Sequence, residues 1–327
     1  MRTATLGSLG EVSRLTLGGG GIGQVWGPTS REEALATLKA AIDSGITVLD
    51  AAPMYGTCET FIGETFGGRL PPGVKVTTKH ALGSPAAGEV APRLIASLEA
   101  SLAAMRLERV DLYFLHSNLH ADGYEFAHGN ARRDEMSTAL SLYRDEFVPA
   151  MERLKAQGKI GGWGITGIGV PSAVLAALDH TPAPDAVQAI ANLMDSAGAL
   201  RRYAEPAQPR AIAAAAKARG AGVMGIRAVQ AGALTSAVDR ELSPNSPDRG
   251  DFDRAATFRA LCADWGEDPA YVAHRYALSL PNFDTLVLGV KNRAELDQCL
   301  AAEAAGPLEA GQMAAVDALG LATANVG

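Results

Sequence analysis

Four polar side chains stand at or just beyond the carboxyl ends of apolar, strand-like runs. Asp50 closes ITVLD, Tyr55 follows in AAPMYG, Lys79 closes VKVTTK and His116 closes RVDLYFLH. An unpaired ammonium behind VKVTT is costly to bury, so Lys79 needs an anionic partner, and Asp50 on the neighbouring run would serve. Only seven of the 29 basic residues are lysines, which makes a lysine in this place informative. Taken alone, the pair reads equally as a structural ion pair. A phenol about 4 Å from such a cation, at an effective dielectric of about 20, gains about 4 kcal/mol, or roughly 3 pK units off a starting value near 10. That predicts a Tyr55 phenol titrating near neutral pH, where a general acid is most useful. His116 adds a neutral donor that could polarise a carbonyl oxygen beside the phenol. Together they would give a proton to an alkoxide as it forms. Nothing in the group supplies a hydride, so a reductant must come from outside, and a nicotinamide cofactor is the obvious candidate.

Such a cluster needs strand ends gathered on one face. Eight β-like runs start near Leu15, Ile46, Val74, Arg109, Ile160, Ala186, Ala221 and Asp284. Between them lie helical patterns over residues 30–44, 89–107, 143–157, 171–180, 209–220 and 292–304, the first opening on a capping box of Ser30 and Glu33. Several runs are apolar on both faces, as strands are when helices cover one side and a packed interior the other. Eight repeats closing on themselves give a (β/α)8 TIM barrel, here with an N-terminal β-hairpin and a C-terminal helical extension; a doubly wound open sheet is the alternative. No linker interrupts the pattern, so residues 1–327 read as a single domain. Gly18, Gly20 and Gly23 match a dinucleotide-binding glycine spacing, but the sequence predicts no helix starting in that loop and no acidic residue ending a second strand about 20 positions on. Those glycines read instead as letting backbone approach a flat ligand at the barrel mouth.

The net charge of −7, pI near 5.4 and absence of a basic run argue against nucleic acid or an anionic membrane as partner. No apolar run reaches the roughly 20 residues of a membrane helix. Without a signal-peptide pattern, the expected location is the cytoplasm. Cys58, Cys262 and Cys299 lie far apart and read as reduced, structural thiols; no metal site is expected.

The hairpin, LDAAPMYG, the lysine of VTTKH, DLYFLH, IGGWGITG, the glutamine of AVQAI and GVKNRAELDQC together resemble the aldo-keto reductases over essentially the whole chain. The resemblance implies Tyr55 as proton donor, Lys79 as its activator, Asp50 as the partner orienting Lys79, and His116 as the residue positioning the carbonyl. It implies that Thr166 and Gln188 bond the nicotinamide carboxamide, with Gly21, Ile22 and Asp50 also at the cofactor. Ile226 through Leu234, including Arg227, Val229 and Gly232, would cover the pyrophosphate. Val290 to Cys299, including Asn292, Glu295 and Gln298, would hold the adenosine end. Trp26, Met54 and Asn118 are expected beside the substrate. Three departures matter: Thr166-Gly167 stands for the usual Ser-Asn, Ile226 for an aromatic, and Glu295 where NADPH-preferring relatives often carry arginine. Glu295 favours NAD(H), whereas Lys291 and Arg293 pull the other way. The expectation is dual use, NADP(H) slightly ahead of NAD(H).

The expected substrate is a small carbonyl compound (aldehyde, ketone or aldose) or its alcohol, and the oligomeric state is left open. His80 reads as structural or a rim contact, and Trp163 and Trp265 as packing. The long segment 117–144, with His120 and His128, reads as a pocket wall. Two alternatives are a metal-dependent barrel hydrolase using Asp50, His80 and His116, and a non-catalytic nucleotide-binding relative.

Overall fold

The computed structural model describes residues 1–126 and 129–322. An antiparallel hairpin, β1 (Thr3–Thr5) and β2 (Glu11–Ser13), precedes the barrel strands β3 (Leu15–Gly18), β4 (Val48–Asp50), β5 (Lys75–His80) and β6 (Val110–Leu115). After β6 comes a short parallel pair, β7 (Asn118–His120) with β8 (Ser137–Ala139). The barrel continues with β9 (Ile160–Thr166), β10 (Ala186–Ile190), β11 (Gly222–Ile226) and β12 (Thr285–Leu288). All eight barrel strands are parallel and close in the order β3-β4-β5-β6-β9-β10-β11-β12. Each coincides with one of the eight β-like runs.

The barrel interior is filled by Val48, Leu112, Phe114, Ala186 and Met224, and the hairpin's Leu6 and Val12 pack onto this cluster. A side chain at Gly222 would collide with Leu6, its Cβ falling 2.6 Å from a Leu6 methyl, so glycine admits the hairpin there. The amino-terminal end is thereby plugged, and only the carboxyl end is left for chemistry. Outside, helices Arg31–Asp43, Val90–Met105, Val148–Ala156, Pro171–Leu178, Pro209–Ala218 and Arg293–Ala305 occupy the stretches that the sequence marks as helical. Ser30 caps the first of these by accepting from the Glu33 amide at 3.1 Å.

Ala256–Trp265 carries Trp265 and Cys262, and Ala310–Asp317 belongs to the expected C-terminal helical extension, whereas Cys58–Phe66, Pro247–Arg254 and Pro269–Ser279 are helices with no clear signal in the sequence. Cys58–Phe66 carries Gly63, which reads as a breaker; here it lets the helix approach its neighbour, since a Cβ would lie 2.4 Å from the Ala104 carbonyl oxygen. Pro247–Arg254 (PDRGDFDR) is almost wholly polar and has no apolar stripe to read. One expectation fails at the first loop: a single helical turn, Gly19–Ile22, does follow β3. It ends at once, because Gly23 and the left-handed Gln24 (φ 69°) turn the chain away, so the closed barrel excludes the dinucleotide-fingerprint topology while containing its local turn.

Among the described residues no helix is long and apolar enough to cross a membrane. The three cysteines are buried and unpaired.

Candidate active site

β5 alternates as a barrel strand should: Thr78 faces outward to Glu59 (2.6 Å), while Thr77 and Lys79 face Asp50. The register places Asp50 beside Thr77, so Lys79 stands two residues further along and not level with Asp50. Its ammonium nevertheless reaches Asp50 Oδ2 at 2.7 Å and the Ala51 carbonyl at 2.9 Å. The other carboxylate oxygen, Oδ1, accepts from Thr77 Oγ1 at 2.5 Å and Gln188 Nε2 at 2.7 Å. With Lys79 1% and Asp50 2% exposed, this is a fully satisfied buried pair. Burial alone would lower the Lys79 pKa; Asp50 and the nearby phenol outweigh it and hold the ammonium above its usual range.

Tyr55 completes the cluster. Lys79 Nζ lies 4.6 Å from its ring centroid, and its hydroxyl lies 3.4 Å from His116 Nε2, the two rings edge to face. Burial pushes the phenol above its ordinary value; Lys79 pulls the other way without offsetting it, and Asp50 adds to the rise. This corrects the expectation of a phenol near neutrality. That expectation left out the burial of the phenol, which is the largest cause of the rise, and the partial offset of Lys79 by Asp50. His116 behaves as foreseen: burial, then Lys79 and His80, hold its pKa down to about 3, so the ring is neutral. Its Nδ1 has no hydrogen-bond partner among the described residues, and His80 is half-buried at the strand end.

The glycines of the first loop have a packing reason of their own. A Cβ at Gly21 would fall 2.0 Å from the Val290 carbonyl oxygen, and one at Gly23 only 1.8 Å from that of Tyr55. At Gly56, left-handed at φ +56°, a Cβ would fall 2.5 Å from the Gly23 carbonyl oxygen. The loops after β3 and β4 are thus pressed backbone to backbone, and this contact sets where Tyr55 stands. Ile22 buries its side chain in the core.

Thr166 and Gln188 are register partners on β9 and β10. Among the described residues neither the Thr166 hydroxyl nor the Gln188 amide oxygen makes a hydrogen bond. A donor and an acceptor side by side fit a carboxamide, so these residues suit a nicotinamide. Beyond β11, Arg227, Gln230 and Ala231 all have positive φ (60°, 45° and 51°). A buried network holds that loop in place. Arg227 donates to Gln230 (2.9 Å) and Asp248 (3.2 Å), while Gln230 and Ser196 both donate to Asp251 (2.7 and 2.6 Å). Partners this distant in sequence left no signal to read. Val229 is partly buried and Gly232 left-handed (φ +91°), whereas Leu234 is wholly buried and offers a ligand no side chain.

In the segment expected to hold the adenosine, Asn292 caps the helix Arg293–Ala305 through the Glu295 amide (2.9 Å), and Val290 is buried. Glu295 accepts from the Lys291 amide at 2.8 Å, and Gln298 is exposed. Lys291 is bonded to Asp239 and lies 3.4 Å from Glu295. Arg293 forks onto Glu33 at 2.8 and 3.0 Å, bonds that hold the Glu33 carboxyl down at about 2. The Trp26 ring lies under the Arg240 guanidinium (5.7 Å), facing the loop after β11. Met54 is 53% exposed and Asn118 half-buried, two residues beyond His116. His120 is buried against Phe126; His128 lies outside the described residues. Asp50 is engaged on both oxygens by Lys79, Thr77 and Gln188, and among the described residues no group of three or more His, Cys, Asp or Glu side chains is placed to hold a metal ion, so nothing here favours the hydrolase alternative.

A closed eight-stranded barrel with this centre at its carboxyl end is the setting of a TIM-barrel enzyme. The chain belongs to the aldo/keto reductase family, whose family model matches residues 14–320, and it is accordingly an oxidoreductase. It is 26% identical over 312 residues to L-galactose dehydrogenase of Arabidopsis thaliana, covering 91% of this chain and 86% of that one. A pyridoxal 4-dehydrogenase of Microbacterium luteolum is 28% identical over 188 residues, covering 47% of this chain and 52% of that one. An aldo-keto reductase of Bacillus halodurans in its holo form shares the fold at a TM-score of 0.69 and 18% identity, over 98% of this chain and 96% of that one.

Proposed function

We propose that the protein transfers a hydride between NAD(P)(H) and the carbonyl carbon of an aldehyde, ketone or aldose, with Tyr55 exchanging the proton. The observation that carries this is the single cluster of Tyr55, Lys79, Asp50 and His116 at the open end of the barrel. The bound nicotinamide supplies the hydride. His116, neutral, donates from Nε2 to the carbonyl oxygen and draws electron density onto it. As the carbonyl π pair moves to oxygen, that oxygen takes the phenol proton. Lys79 stabilises the tyrosinate left behind, and Asp50 keeps Lys79 charged and in place. In the oxidative direction the same proton returns to the phenolate. Tyr55→Phe is expected to remove most turnover while leaving NAD(P)H quenching of protein fluorescence unchanged; wild-type kcat in that variant would exclude the role.

Against the slight lead of NADP(H) expected from the sequence, we infer a preference for NAD(H). Both cations that would favour a 2′-phosphate are already neutralised, Lys291 by Asp239 and Glu295 and Arg293 by Glu33, while Glu295 itself repels a phosphate and suits a 2′-hydroxyl. The expected kcat/KM is higher with NADH than with NADPH, and Glu295→Arg should narrow or reverse the ratio; a wild-type NADPH preference would overturn the reading. Similarity to a galactose dehydrogenase over most of the chain supports aldoses as the first substrates to try, in both directions.

A further inference from the structure

We propose that a cavity of about 190 Å³ between the loops after β6 and β10 is a binding site for the carboxylate or phosphate of a small acidic molecule. Arg132, Arg133 and Arg202 line it together with Phe126, Met136 and Ser137, and its lining contains no carboxylate. Three guanidinium groups thus face one cavity, while the acids paired with two of them, Asp134 and Glu135, are not part of its lining. Their own partners leave them available. Arg202 is half-buried and has no ion pair or hydrogen bond among the described residues. Arg132 and Arg133 pair with Glu135 and Asp134, which are 66% and 65% exposed, and such solvent-facing pairs are weak. Arg133 also donates to the Tyr124 carbonyl at 3.3 Å, and each guanidinium carries five N–H donors, so several remain for a ligand.

The cavity is held together across sequence. The Ala204 amide donates to the Tyr124 hydroxyl at 3.4 Å, bringing the loop that carries Arg202 against the loop that carries Arg132 and Arg133. Ser137 Oγ donates to the Arg133 carbonyl at 2.5 Å. Phe126, packed edge-on against His120 (5.7 Å) and Tyr124 (5.5 Å), makes an apolar wall opposite charged donors. The volume equals about six waters at ~30 Å³ each, enough for an anionic head and a few carbons. Both loops leave the carboxyl ends of their strands, and His120 is at most about 14 Å of extended chain from His116. Both loops thus start at the end of the barrel that carries Tyr55.

Two sources share this chemistry: the acidic tail of the substrate itself, or a free anion. Linking the site to turnover rests on the hydride transfer proposed above; anion binding does not. Calorimetric titration of the full chain with inorganic phosphate and with succinate should show saturable binding that weakens at least tenfold in Arg202→Ala and further in Arg202→Glu. Because Arg202 has no ion pair or hydrogen bond among the described residues, both variants should keep the wild-type circular dichroism and Tm. Kinetics then compare succinic semialdehyde with butanal. A rise of about tenfold in KM for the acid alone, at unchanged kcat, assigns the site to the substrate's tail. Binding that depends on Arg202 while both KM values stay fixed assigns it to a free anion. No saturable binding, or equal binding by wild type and both variants, overturns the site, and an active enzyme giving that result would leave the hydride-transfer reading intact. Inactive protein with Arg202-dependent binding would overturn only the latter.

Discussion

The phenol of Tyr55 sees a neutral pair, not a bare cation. Asp50 sits 2.7 Å from the Lys79 ammonium, so the field at the ring is that of a short dipole, and burial decides the direction of the pKa shift. Tyr55 is therefore protonated throughout the neutral range, a donor held ready for an alkoxide. What keeps the dipole aimed is the second oxygen of Asp50, tied by Thr77 and Gln188. Thr77 is thus a positioning residue acting through Asp50. A hydrogen bond to a charged group contributes about 1.5–3 kcal/mol, so Thr77→Val should lower kcat by on the order of tenfold. Cofactor affinity should hold, the alkaline limb of the pH profile should move, and Thr77→Ser should restore both. A wild-type profile in the valine variant would make Thr77 merely packing. Lys79→Met is a poorer probe, because leaving Asp50 buried and unpaired costs about 3–5 kcal/mol of stability.

Elements place that phenol through backbone contact. The turn after β3 and the Tyr55 loop after β4 meet at Gly23 and Gly56, where no Cβ fits. In Gly23→Ala the new methyl would lie 1.8 Å from the Tyr55 carbonyl oxygen, so the loop must shift by a sizeable part of an ångström. A misplacement of about 1 Å can cost roughly a hundredfold in rate. The expected result is a kcat/KM loss of that order with a Tm lowered by only a few degrees. Gly250→Ala is the control: it is helical with nothing within 4 Å of its Cβ, and should stabilise by about 0.5–1 kcal/mol without touching activity. Equal activity loss in both variants would refute the loop contact as the cause.

At the scale of the whole molecule, pH acts on both flanks. The His116 pKa falls from an unfolded value of about 6.5 to about 3 in the fold, so the unfolded chain takes up its proton first as pH drops. Stability present above about pH 6.5 is accordingly lost on the way down to about 3. The raised Tyr55 pKa has the opposite sense: its contribution is full below about pH 10 and is lost above that. Reduction should have a flat kcat across the neutral range, while oxidation, which needs the phenolate, should rise steadily with pH. Rates followed from pH 5 to 10 in both directions would check this, and a break near pH 7 assigned to Tyr55 would contradict the raised phenol.

The eight strands were legible because a barrel strand is apolar on both faces and short, and the first helix because its cap lies three residues from its partner. Asp50, Tyr55, Lys79 and His116 were legible because ionisable groups at apolar strand ends need a reason to be there. Local pattern could not supply the helix Pro247–Arg254, which has no apolar stripe, or the purpose of the first-loop glycines, which answer to Val290 and Tyr55. The sign of the Tyr55 shift belongs with these. Sequence placed a cation beside a phenol, but only the fold decides how deeply the phenol is buried and that Asp50 stands against the cation, and both depend on distances in space that separation along the chain does not encode.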